Sequence, residues 1–198
     1  MVRPVPKSVA AAATALFLLL APHVARSTLI GQTIGVSLTN GGSLSLSQNV
    51  VVVSPGAEIV PGDGSPIGGV LLPTESVDLG TQSIALSLEE GAPGGATGYP
   101  SGTHFTFSNL VFFGELTQIV GIHVTTTNLI NLGAVTFTGD SVTVPVDSVR
   151  IGDIPGIDVG SLTIALDVVV VPEPATGALV AAGIAVLGCA RRSRARAS

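Results

Sequence analysis

The chain reads as an all-β protein, an antiparallel β-sandwich with a jelly-roll or immunoglobulin-like layout. Three observations predict this. At least seven runs alternate apolar and small polar residues with a period of two, the spacing of a strand with one buried face. Clusters of Gly, Pro, Asn and Asp separate them, such as Pro61-Gly62-Asp63-Gly64-Ser65-Pro66 and Gly91-Ala92-Pro93-Gly94-Gly95. No window between residues 28 and 171 carries convincing helical spacing. Many short strands, each with one apolar face, bury those faces most simply by packing two sheets together.

In chain order, residues 1–27 come first. Arg3 and Lys7 precede Val9 to Ala21, thirteen residues with Thr14 as the one polar member. That length suits the apolar region of a signal peptide and is short for a membrane span. Ala25 and Ser27 are the small residues a signal peptidase needs, so cleavage is expected after Ser27, with Ala25 the second choice.

The strands follow, in an exported domain assigned to residues 28–170. Ile34, Val36 and Leu38 alternate with Gly35 and Ser37, and Asn40-Gly41-Gly42 is a hairpin turn leading to Leu44 and Leu46. Val50 to Val53 is apolar on both faces and predicts a central or covered strand. Ile84, Leu86 and Leu88 form the next run, followed by Phe105 and Phe107. Then come Val120, Ile122 and Val124, and after them Val142, Val144 and Val146. The last run is Leu162 to Val170. Pro145 suits an edge strand, because proline cannot donate to a ladder. Phe105, Phe107 and Phe137 are expected in the core.

The last segment, 171–198, differs in kind. Val171-Pro172-Glu173-Pro174 holds two prolines that fix φ and remove two donors, so it fits neither a helix interior nor a sheet interior. Ala175 to Ala190 is sixteen uncharged residues. As a helix it would span about 24 Å, against a hydrocarbon core of about 30 Å. Arg191, Arg192, Arg194 and Arg196 follow. The positive-inside rule keeps them in the cytoplasm and puts the preceding domain outside. The N-terminal signal exports the same domain, so both ends predict one topology: an N-terminal signal helix, an exported domain and a C-terminal single transmembrane helix.

Charge is uneven. Residues 28–171 hold twelve acids and one base, Arg150, leaving that part at about −11. A surface of that sign repels nucleic acid, and a nucleic-acid function is excluded on this ground. The one cysteine, Cys189, lies in the C-terminal apolar run, so no intrachain disulfide is available. It reads as a small apolar helix residue rather than an acylation site.

Catalytic and ligand-binding patterns are weak. His104 and His123 stand on the polar sides of separate strands, without the close third and fourth ligands a zinc site needs. Gly-x-Ser-x-Gly is absent, and Ser43, Ser83 and Ser141 follow turn residues with no base nominated beside them. Glu89 and Glu90 are neighbours that point to opposite faces of a strand, and they read as a solvated pair. Calcium would need oxygen ligands from around Asp63 or from Asp153 to Asp158, and the Asp-x-Asp-x-Asp loop is missing. Neither metal nor cofactor is expected, and the domain is read as non-enzymatic. The alternative is glycan binding on an aromatic platform. Tyr99 in the Gly98-Tyr99-Pro100 loop is its candidate, with Phe112 or Phe113 beside it.

The tail resembles a PEP-CTERM sorting signal: Pro172-Glu173-Pro174, then the apolar segment, then the basic cluster Arg191 to Arg196, at the extreme C-terminus of a chain with a signal peptide. The resemblance implies recognition by an exosortase, a multi-spanning membrane protease of Gram-negative bacteria that make exopolysaccharide. It implies removal of the tail and delivery to the cell surface or extracellular matrix. The partners it implies are the exosortase, signal peptidase and the secretion translocon, with exopolysaccharide a candidate.

Overall fold

The structure is a computed structural model that describes residues 28–40, 42, 44–112, 116–152, 156, 158–171 and 183–184. Eleven strands are present among them. β1 (Thr33–Thr39), β2 (Ser45–Val51), β5 (His104–Ser108), β8 (Thr136–Phe137) and β9 (Val142–Pro145) form a five-stranded sheet in the order β2-β1-β5-β9-β8. β3 (Ser76–Leu79), β4 (Ser83–Glu89), β6 (Thr117–Thr127) and β11 (Val159–Val170) form a four-stranded sheet in the order β3-β4-β11-β6. β7 (Leu129–Ile130) and β10 (Arg150–Ile151) make a two-stranded ladder. All pairings between these strands are antiparallel.

The alternating runs become the core. Ile34, Val36 and Leu38 of β1 are buried, as are Phe105 and Phe107 of β5 and Val142 and Val144 of β9. From the other sheet come Ile84, Leu86 and Leu88 of β4 and Leu162, Ile164 and Leu166 of β11. The inward rows of both sheets join one apolar cluster. Each strand supplies it with every second residue because successive side chains leave a strand on opposite sides.

The β1–β2 hairpin forms where Asn40 predicts it. Asn40 Oδ1 accepts from Leu44 N at 2.7 Å and Gly42 N at 3.3 Å, and Asn40 N donates to Leu44 O at 3.1 Å. Pro145 is not on an edge strand, since β9 lies between β5 and β8, but its own position is open on one side. It pairs with His104 of β5, while β8 reaches only Val142 and Thr143 on the other side. No β8 residue therefore faces Pro145 across a ladder.

Three further expectations are corrected. Val50 to Val53 does not build a central strand: β2 is the end of its sheet, and Val51 and Val53 are 57% and 52% exposed while Val52 is buried. The run is apolar on both faces, yet no second layer covers its outer face. Phe137 is exposed rather than in the core, because two-residue β8 lies at the opposite end of the same sheet. Finally, the apolar row of β6 is displaced. Asp167 pairs with Gly121 but Val168 pairs with Ile119, so Val120 is the extra residue of a β-bulge. The bulge turns Val120 outward at 52% exposure and brings Ile119 into the core.

Four short strands, β3, β7, β8 and β10, have no clear periodic signature. Two to four residues are too few to show a period, and their existence follows from the neighbours they pair with.

The outer face of the five-stranded sheet is polar but uncharged. Across it run the rows Ser47–Ser37–Thr106–Thr143 and Asn49–Gly35–Ser108, one residue from each neighbouring strand. None of β1, β2, β5, β8 and β9 contains Asp, Glu, Lys or Arg.

Candidate functional site

The residues the sequence assigns to sorting are Ala25 and Ser27 at the signal cleavage site, Pro172, Glu173 and Pro174, and Arg191, Arg192, Arg194 and Arg196. All lie outside the described residues, as does Cys189. Gly183 and Ile184 of the apolar segment are described, and both are helical. Among the described residues no helix is long and apolar enough to cross a membrane. Within the folded part, the chemistry-bearing side chains are distributed as follows.

The two histidines are on different sheets, His104 on β5 and His123 on β6. His104 has both ring nitrogens engaged. Nδ1 lies 2.9 Å from Gly102 O and Nε2 lies 2.9 Å from Thr39 Oγ1. A carbonyl oxygen only accepts, so Nδ1 donates, and in the neutral ring Nε2 accepts from the Thr39 hydroxyl. His104 borders a cavity of about 290 Å³, lined also by Gly102, Thr103, Ala134, Thr143, Pro145 and Asp147. Asp147 Oδ2 accepts Gly102 N at 2.8 Å, so the carboxylate facing this cavity already holds the loop beneath it. His123 Nε2 lies 3.1 Å from Asp167 Oδ2 on the outside of the other sheet, with both side chains more than half exposed. Gly121 is opposite Asp167 and makes room for this contact, since a Cβ there would come within 2.8 Å of Asp167 Oδ2. An exposed contact of this kind contributes little.

Among the described residues the most buried acid is Glu75, 1% exposed, which sequence reasoning did not single out. Its Oε2 accepts Leu72 N at 2.9 Å and the Tyr99 hydroxyl at 2.8 Å, and its Oε1 accepts Glu89 N at 3.3 Å. Burial pushes the Glu75 carboxyl above its ordinary range. The bonds from Leu72, Tyr99 and Glu89 pull the other way, and the charge of Glu89 adds to the rise. Burial beside this carboxylate likewise pushes the Tyr99 phenol far up, which keeps it a protonated donor. Tyr99 therefore does not form an exposed platform. It packs edge-on against Phe105, with ring centroids 6.3 Å apart, and its hydroxyl is committed to Glu75. Phe112 is buried too, and Phe113 lies outside the described residues. Neither Tyr99 nor Phe112 therefore offers the exposed ring the glycan reading names.

Glu89 and Glu90 also differ from expectation. They point apart, yet neither is simply solvated. Glu89 Oε2 accepts Thr74 N at 2.8 Å and Thr74 Oγ1 at 2.9 Å, and Glu90 Oε1 accepts Gly95 N at 2.8 Å. Glu58 accepts Val53 N at 2.9 Å and Leu79 N at 2.6 Å, with burial pushing its carboxyl up. Asp63 accepts Ser65 N at 2.7 Å and Val60 N at 3.3 Å, and its bond with the Ser65 side chain leads in holding it below the usual carboxylate range. These carboxylates fasten the chain's own loops, satisfying backbone donors that a strand-rich fold leaves over at its connections. Asp63 and Asp158 do not gather further acids: among the described residues no group of three or more His, Cys, Asp or Glu side chains could hold a metal. Asp153 lies outside the described residues.

Of the serines in question, Ser141 Oγ is 2.6 Å from Thr138 Oγ1, which also donates to Asp140 Oδ1 at 3.0 Å, and this closes the β8–β9 turn. Ser83 sits at the start of β4 beside Gly80, and Ser43 is outside the described residues. Arg150 Nη2 donates to Gly94 O. Compared with protein-family models, curated proteins and solved structures, the chain matches none.

Proposed function

We propose that this chain is an exported, non-enzymatic protein of the cell surface or extracellular matrix, sorted through a C-terminal PEP-CTERM signal that an exosortase processes. Its exported part is a β-sandwich of jelly-roll or immunoglobulin-like layout between a signal helix and a single transmembrane helix. The observation that carries this reading is the order of parts in the tail: Pro172-Glu173-Pro174, sixteen uncharged residues, then four arginines. A lone Pro-Glu-Pro would carry nothing, but that sequence of parts gives each a physical task. The arginines hold the C-terminus in the cytoplasm. The apolar helix keeps the chain in the bilayer. The prolines keep Glu173 extended and unpaired at the outer surface.

The fold supports the reading by where it stops. β11 ends at Val170, and Val171 N donates to Leu116 O at 2.7 Å. Pro172 follows at once and has no N–H with which to continue such bonding. A processing enzyme would therefore meet the motif as the first residues past a folded body, with no long linker between. The non-enzymatic part of the reading is supported by Glu58, Glu75, Glu89, Glu90 and His104, each held by the chain's own backbone or hydroxyl groups.

The test is the mature C-terminus. Mass spectrometry of protein recovered from outside the producing cell is expected to show the tail removed and Arg191 to Arg196 absent. Glu173→Gln, or deletion of residues 191–196, is expected to leave full-length precursor in the membrane fraction. Mature extracellular protein that retains its arginines would refute the proposal.

A further inference from the structure

The edges of the two sheets are protected unequally. A sheet edge presents unpaired N–H and C=O groups, and folded proteins blunt it with charge, proline, bulges, shortness or cover. β3 is covered: Ile59 bridges Val77, and Glu58 N donates to Val77 O at 2.9 Å. β6 carries the bulge at Val120. β8 is two residues long. β2 lacks charge, proline, a bulge and shortness, and the loop that follows it touches it through a side chain, Gln48 Oε1 accepting Ile67 N at 3.1 Å. The strand is seven residues, Ser-Leu-Ser-Gln-Asn-Val-Val, and it pairs on one side only.

The register fixes which of its backbone groups are open. Leu44 O accepts Asn40 N, while Val52 N donates to Gln32 O and Val52 O accepts Gly31 N. The even-numbered residues thus bond toward β1. In an antiparallel ladder the alternate residues direct both groups the other way, so Ser45, Ser47, Asn49 and Val51 present theirs at the free edge. The open stretch ends at Val53, whose N–H is taken by Glu58 Oε1 at 2.9 Å.

We propose that β2 is a self-pairing edge: two copies of this chain join by antiparallel β2–β2 pairing about a two-fold axis at Gln48, so that one sheet runs through both. In this register Ser45 meets Val51 of the second copy and Ser47 meets Asn49, each residue with both backbone groups open. Roughly eight interstrand hydrogen bonds result. On the inner side Leu46 meets Val50, while Gln48 at the axis stays with its own chain, its Oε1 accepting Ile67 N at 3.1 Å. On the outer side the Ser47 hydroxyl meets the Asn49 amide, a favourable cross-strand polar pair. Charge favours a second copy over another occupant. Residues 28–171 carry twelve acids and one base, so most approaches of two copies set carboxylates against each other. The five-stranded sheet has no charged residue on any strand, and its edge is where copies meet without that repulsion. A basic partner would gain nothing there and would favour the acids elsewhere. This inference is independent of how the tail is processed.

The test uses the full chain purified in mild detergent. Sedimentation equilibrium is expected to show a concentration-dependent dimer. Ser47→Pro removes a donor that points away from β1, so it is expected to keep the melting temperature within a few degrees and to weaken dimerisation at least about tenfold. A second measurement does not depend on that variant folding. Ser47→Cys with Asn49→Cys, in a Cys189→Ser background, is expected to give a disulfide-linked dimer on mild oxidation, since these positions face each other within disulfide reach. A wild-type chain that stays monomeric at every concentration, a Ser47→Pro dimer of unchanged strength, or a double-cysteine chain that does not cross-link would overturn the proposal.

Discussion

Tyr99→Phe gives a direct test of the buried carboxylate. The substitution removes one oxygen and leaves the ring against Phe105. Glu75 then loses the donor at 2.8 Å and keeps Leu72 N and Glu89 N. A hydrogen bond to a charged group contributes about 1.5–3 kcal/mol, against about 0.5–1.5 kcal/mol for a neutral pair. The cost is therefore expected at about 2 kcal/mol at pH values where Glu75 is ionised, and nearer 1 kcal/mol where it is protonated. The sign follows from linkage. Burial raises the folded pKa of Glu75 above its unfolded value. Between those two values the folded state holds more protons, so the Glu75 contribution to stability falls as pH rises through that window. Tyr99→Phe removes a bond that lowers this pKa, so the window extends upward and the variant loses more stability than wild type as pH rises. Urea unfolding of both proteins across acid to neutral pH measures this. An equal loss at every pH, or a loss below about 0.5 kcal/mol throughout the range, would refute the assignment.

Other substitutions test the packing. Ile119→Ala is expected to cost about 2–4 kcal/mol by opening a cavity, while Val120→Thr, one residue along, is expected to stay within about 0.5 kcal/mol. The reverse order in denaturant midpoints would mean the bulge is misplaced. Gly160→Ala puts a methyl 2.3 Å from Leu129 Cδ2 and 2.8 Å from Asn128 O. Because the second neighbour is backbone, a loss of about 1–3 kcal/mol is expected in thermal or urea unfolding.

The legibility of this protein divides along a physical line. Alternation is a property of the single strand, so the buried rows of β1, β4, β5, β9 and β11 can be read from their own residues. The hairpin at Asn40 is legible for the same reason, since a side chain that closes a turn acts within four residues. The prolines and arginines of the tail are local signals too, and they carry the functional proposal.

What a strand pairs with is not local. Val50 to Val53 looks like a strand covered on both sides, and only the order β2-β1-β5-β9-β8 makes it an edge. Val120, Ile122 and Val124 look like one inward row, until the partner strand slips by a residue at Asp167 and moves Val120 outside. Glu75 and Tyr99 are 24 residues apart and carry no motif, yet they meet at 2.8 Å because the loops before β3 and before β5 converge. Sequence by itself determined which residues face inward along β1, β4, β5, β9 and β11 and where the chain must turn. The tertiary structure decided which strands end the sheets, where the register shifts, and which acids are buried. Those outcomes depend on contacts between segments far apart in the chain, and no short stretch encodes them.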